Sequence, residues 1–163
     1  GLLASTYGQS ALGKVSAQAL DGGEFGRRVA EWDALEKKVV AVKASLRPEQ
    51  WDAYFQLVEH PVLALANVYR LYYYAAWNGK LAAVGDARAN VFADLAQAAF
   101  RTDQNITDHY HALNGGKWSG MMLQTHIGYT SWQEPRQQTM PATQRVATAL
   151  FRTMFIRLPM ILL

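Results

Sequence analysis

The sequence contains no cysteine. That excludes disulfides, iron–sulfur clusters, cysteine-ligated zinc and a thiol nucleophile. It leaves the compartment open, because secreted and intracellular proteins alike can do without cysteine. Proline is scarce, and no Pro/Gly/Ser-rich linker or internal repeat divides the chain. No basic n-region followed by an apolar h-region is visible, so no signal peptide is expected. Nor is a membrane span expected: the apolar stretch from Leu150 to Leu163 is short and is interrupted by Arg152, Arg157 and Pro159. Acidic residues nearly vanish from the last third, where Glu134 stands alone after residue 112.

What remains has the make-up of one ordinary domain. With 163 residues, 50% of them hydrophobic and 18% charged, the chain can bury a core and is not of disordered composition. The formal charge of 16 − 13 = +3 hides an asymmetry. Residues 1–112 hold 11 basic and 12 acidic side chains, net −1, whereas residues 113–163 hold five and one, net +4. A locally basic segment suits an anionic partner such as a carboxylate sugar or a phosphate. Its basic residues are scattered, which argues against nucleic acid. Of 25 alanines, 22 lie at or before residue 112. Alanine is the strongest helix former, so the first two-thirds reads as helical.

The periodicity predicts a helix from Glu24 to Leu46, with Phe25, Val29, Trp32, Leu35, Val39, Val42 and Leu46 on one stripe. Asp21 and Glu24 have the spacing of a capping box. A second helix is expected from Pro48, whose missing N–H is not needed in a first turn. Pro61 should break or kink it. A third segment runs from Val62 to Trp77; Asn78-Gly79 could end it, or Lys80 to Val84 could carry it on. Asp86 can cap a fourth, through Val91, Leu95 and Ala98 towards Tyr110. The expected fold is therefore all-α: a four- or five-helix bundle, then a breaker at Asn114-Gly115-Gly116 and a long irregular, aromatic-rich loop from Asn114 to Pro141. Loops this rich in large side chains are packed against something and tend to be functional.

The chemical constellations are sparse. His109 and His111 lie two apart, on opposite sides of a helix, and cannot share a metal, for which a pair spaced i, i+4 is needed. No metal and no cofactor are expected. Tyr72-Tyr73-Tyr74 reads as core and interface rather than as a stacking platform. Asn67 and Asn90, among apolar neighbours, read as buried amides pairing with backbone or with each other. Asp103, Asp108 and Glu134 are the carboxylates near the irregular segment, but none forms an acid–base pair. Asp103 and Asp108 are expected to cap or solvate a helix end. No Ser–His–Asp arrangement or phosphate-cradling loop is present.

The segment that stands out is Gly115 to Pro135, which can be written GGKW-x-x-MM-x-QTHIGYT-x-W-x-x-P. Its tryptophans and Tyr129 offer flat faces for a sugar ring, and Lys117, Gln124, His126 and the threonines offer charge and hydrogen bonds for hydroxyls or a uronate. A packed clamp between domains accounts for the same residues, and both readings stand. Trp118 and Trp132 are read as anchors of this loop, with Lys117, Gln124, His126 and Tyr129 as contributors to a cleft edge.

This string, followed by Met140-Pro141, resembles the signature of glycoside hydrolase family 115, the xylan α-glucuronidases. Trp32, Phe55-x-x-Val58-x-x-Pro61-Val62, Ala89-Asn90, Phe100, Asp103 and Tyr110 follow the family's order, so the resemblance covers roughly residues 28 to 146. His111 and Gln133-Glu134 depart from it. Members have a catalytic (β/α)8 barrel, then a helical domain, then a β-sandwich. The resemblance implies that residues 24–146 are the helical accessory domain of such an enzyme. Residues 1–23 are then a lead-in and 147–163 an apolar tail, with the chain expected to be a piece of something longer.

The resemblance further implies that inverting removal of glucuronic or 4-O-methylglucuronic acid side chains belongs to the parent protein, itself secreted or periplasmic. No catalytic residue is carried by this chain. The implied partners are the barrel of the same protein, acidic xylan or xylo-oligosaccharide through that parent, and a homodimer contact. Neither nucleic acid nor membrane is among them. From outside the family, the alternatives are a stand-alone helical carbohydrate-binding module and an open reading frame that does not fold by itself.

Overall fold

A computed structural model describes residues 23–128 and 137–147. Among these residues the protein is all-helical, with three long helices and no strand. Helix α1 spans Glu24–Ala44. A 3-10 turn at Pro48–Gln50 leads into the single-turn helix α2, Trp51–Tyr54. A π-turn at Phe55–Glu59 joins α2 without interruption to α3, His60–Ala82. Helix α4 is assigned over Ala89–Gly116, although Leu113, Asn114 and Gly115 leave helical geometry.

Local chemistry sets these boundaries. The N-cap of α1 is Gly23, with no side-chain cap; Asp21 of the expected capping box lies outside the described residues. Pro48 does occupy a first turn, and the Gln50 carboxamide accepts from the Arg47 backbone at 3.1 Å. Pro61 breaks nothing. In an α-helix its ring would press on the Leu57 carbonyl. The π-turn just before it widens the backbone there, and the His60 N–H reaches Phe55 O, five residues back. The second and third expected helices thus form one rod. Asn78-Gly79 does not end it, and α3 continues to Ala82. Asp86 closes the next turn, its carboxylate accepting from the Arg88 backbone at 2.8 Å.

Helix α3 is the middle element, packed on α1 along one side and on α4 along the other. Phe25 and Val29 meet Tyr72 and Ala76 in the first interface, flanked by Tyr69, Tyr73 and Trp77. Only part of the expected stripe of α1 is buried there: Leu35 and Val42 stay exposed. Arg70 reaches across to Asp33, at 2.8 Å from Nε, and to Glu36. In the second interface α4 presents Ala89, Ala93, Ala96 and Ala99, all buried. Such small side chains let the two helices approach closely, and Asn67 donates from α3 to the Ala99 carbonyl at 2.9 Å. That placement of Asn67 is the buried-amide role expected of it.

Candidate functional site

Helix α4 ends where its sequence turns to Asn114-Gly115-Gly116. Asn114, Gly115 and Gly116 adopt φ of +51°, +68° and +87° in succession. Left-handed backbone is cheap for glycine and tolerated by asparagine, so these residues reverse the chain within three positions. The Asn114 N–H donates to the Asp52 carboxylate at 2.8 Å, which ties the reversal to α2. Residues 117–128 then fold back along α4.

Trp118 is the first contact of this return. It packs with Met122 and Leu63 on Phe55, Tyr110 and Leu113. Its indole Nε1 is buried without a hydrogen-bond partner. Lys117 is exposed, its ammonium 4.9 Å from the Trp118 ring centroid. The Met122 N–H donates to His111 Nε2 at 3.1 Å, which leaves the proton of a neutral His111 ring on Nδ1. His109 takes the other direction and lies on the Phe55 ring, centroids 3.9 Å apart. The two histidines are held by different neighbours, and no group of three metal-ligating side chains occurs among the described residues.

Two turns up α4 the chain is pinned again. His126 Nε2 lies 2.9 Å from Asp103 Oδ1, and its Nδ1 lies 3.0 Å from the Gln124 carbonyl. Both partners are acceptors, so the ring satisfies them together only as an imidazolium. The bond to Asp103 accordingly raises the His126 pKa above its usual value, against the opposing effect of burial. Asp103 caps no helix end, contrary to expectation: it is buried on the packed face of α4. Asp108 is exposed and accepts from Gln104 at 2.8 Å, so the two carboxylates serve different surfaces. His60 contacts Tyr110, ring centroids 4.7 Å apart, and Tyr110 accepts from Gln56 at 3.0 Å. Burial, and then the like charge of His126, push the His60 pKa down, with Asp103 opposing.

Gln138, from the returning segment, completes the cluster. Its side-chain oxygen accepts from the backbone of both His126 (3.0 Å) and Ile127 (2.6 Å). Its amide nitrogen lies 3.0 and 3.3 Å from the two ring nitrogens of His126, over the ring rather than along one lone pair. The Thr139 N–H donates to Ile127 O at 3.1 Å, and Ile127 is wholly buried with Leu71, Ala96 and Ala99. Further on, Asn78 exchanges two 2.8 Å bonds with the Gln144 backbone and donates to Ala89 O, and Asn90 exchanges two 2.9 Å bonds with Val146. Two amides thus hold residues 144–146 as a neighbouring strand would, without a sheet.

Of the expected loop residues, Lys117 and Trp118 stand at the foot of the return, and His126 stands at its upper pin. Gln124 is exposed and contributes its backbone carbonyl. Tyr129 and Trp132 lie outside the described residues. Sequence reasoning missed Gln138 and His60; it read Asp103 only as a carboxylate at a helix end and Asn78 only as a possible helix end. For Asp103 a signal exists: it continues the spacing Ala96, Ala99, Asp103, Tyr110, which places a carboxylate on an apolar stripe.

Trp118→Ala should cost about 2–3 kcal/mol and loosen the return, because it empties the contact with Phe55 and Tyr110. Lys117→Ala should leave Tm nearly unchanged, and Trp118→Phe, which removes the unpartnered N–H, should cost far less than Ala. Thermal melts of the three variants check this; equal losses for Phe and Ala would mean that the indole N–H has a partner.

No helix among the described residues is long and apolar enough to cross a membrane. No protein-family model matches the chain, and no curated protein matches it.

Proposed function

We propose that this chain is the helical domain of a xylan α-glucuronidase of glycoside hydrolase family 115, in which it supports the catalytic barrel and lends its loop to the cleft edge or to dimer contacts. The observation that carries the reading is the motif from Gly115 to Pro135 with Met140-Pro141 after it. The way its described part is held adds support: Trp118 faces inward, while Lys117 and Gln124 point to solvent. The parent removes glucuronic or 4-O-methylglucuronic acid side chains with inversion. An inverting pair of carboxyl groups stands about 6.5–9.5 Å apart across the substrate. The buried Asp103, spent on His126, and the exposed Asp108 do not make one. The reading includes a domain of four or five helices with an aromatic-rich loop from Asn114 to Pro141.

The test is the coding frame upstream, which should encode a (β/α)8 barrel; a frame without one overturns the reading. The purified chain should release no uronic acid from glucuronoxylan above a buffer control. Release would place the acid and base within this chain. In the parent, Lys117→Ala should raise KM for glucuronoxylan if its ammonium meets the uronate carboxylate.

A stand-alone carbohydrate-binding module is the second reading. A half-buried row of Tyr73, Tyr74, Trp77 and Phe92 favours it. Against it, Trp77 is stacked on Phe92 and has Lys80 over its ring, so little flat surface is left for a sugar. Calorimetry with acidic xylo-oligosaccharides that gives no heat at millimolar ligand eliminates it.

A further inference from the structure

The chain contains the dipeptide Asn-Gly twice, at Asn78-Gly79 and at Asn114-Gly115, and the fold treats the two in opposite ways. We propose that Asn114 is a site of spontaneous covalent modification, deamidation through a cyclic imide, from which the fold protects Asn78. The chemistry needs only water. The Gly115 backbone nitrogen attacks Cγ of Asn114, the new C–N bond closes a five-membered succinimide, and the side-chain nitrogen leaves as ammonia with the proton of the attacking N–H. Water then opens the ring at either carbonyl, giving aspartate or isoaspartate, and the mass rises by about one dalton. A following glycine favours the attack because no side chain shields its nitrogen.

Geometry separates the two sites. Asn114 is exposed at φ +51°, beyond the regular part of α4, and no described residue bonds its side-chain amide. A Cβ built at Gly115 or at Gly79 meets nothing within 4 Å, so the difference lies in the asparagines themselves. Asn78 is wholly buried inside α3, and its side chain holds three 2.8 Å hydrogen bonds, to Ala89 O, Gln144 O and Gln144 N. Ring closure at Asn78 requires those bonds to break and the helix to open, so its rate carries an unfavourable local opening equilibrium that Asn114 escapes. The product matters for the loop. A carboxylate at 114 arises where the backbone N–H already serves Asp52, and isoaspartate lengthens the main chain by one atom three positions before Lys117.

The experiment uses the full chain, folded, at mildly alkaline pH and 37 °C, with peptide mapping over days. Asn114 should convert at least about tenfold faster than Asn78, and in urea, where both dipeptides are unprotected, the two rates should approach each other. Rates within about threefold of each other in the folded protein would overturn the proposal. So would an Asn114 that stays intact in the folded chain while converting in urea.

Discussion

Gly128→Ala should cost roughly 3 kcal/mol or more and lower Tm by on the order of 10 °C. Two penalties add at this position. Its φ is +79°, where a side chain is disfavoured by about 1–2 kcal/mol. A Cβ there would also lie 2.7 Å from Thr139 Cβ and 2.8 Å from Thr139 O, and the latter is backbone that cannot step aside. Relief requires residues 126–128 and 137–139 to separate. The Thr139 N–H bond to Ile127 and both bonds to Gln138 would go with it. Gly120→Ala is the control. It has φ +87° but only the end of the Leu123 side chain nearby, at 3.7 Å, so it should lose only the backbone share. Equal losses for the two variants would show that the contact with Thr139 is not what fixes Gly128.

Asp103→Asn should cost about 1–3 kcal/mol at acidic pH, because it takes a charge-assisted bond from His126. Its clearer signature is in pH dependence. The folded His126 pKa is raised by Asp103, so the pair's contribution is complete below the unfolded histidine value of about 6.5 and is lost as pH rises through the raised folded value. His60 has the opposite sign. Its folded pKa is lowered by burial, so protonating it opposes folding as pH falls below the unfolded value. His60 remains in the variant, and losing the Asp103 charge that opposes its lowering acts in the same direction as the loss at His126. The difference in stability between wild type and Asp103→Asn should therefore be largest at acidic pH and shrink towards alkaline pH. Part of the His126 ring is open to water, at 41% side-chain exposure, which keeps the effect modest. Denaturant melts at several pH values measure it; a constant difference would mean that His126 is not charged in the fold.

The helices were legible because 3.6-residue periodicity is a local property. Phe25, Val29 and Val39 read as inward and are buried. Leu35 and Val42 read the same way and are not, since periodicity marks a face without saying how far a neighbour extends along it. Pro61 was misread because its effect depends on hydrogen-bond register in the preceding turn, which residue type does not encode. The breaker at Asn114 was legible, and the chain does turn there. The pins of the return were not. Asn78 meets Gln144 across 66 residues, Asn90 meets Val146 across 56, and Asp103 meets His126 across 23. A single sequence carries no signal of which amide will find which backbone.

The π-turn has a consequence for the phase of the rod that contains it. A turn closed over five residues holds one residue more than the ladder on either side. Each residue of an α-helix advances the face by about 100°, so the extra one sets α2 and α3 out of step by that angle. Trp51 and Tyr54 therefore point along a face that an unbroken helix would have assigned to different positions. Tyr54 uses that direction to donate to Val39 O of α1 at 2.9 Å, while Phe55 and His60 turn to α4. The extra residue sets Tyr54 towards α1 while Phe55 and His60 face α4, and deleting any one between Phe55 and Glu59 would re-index the segment before it against everything after.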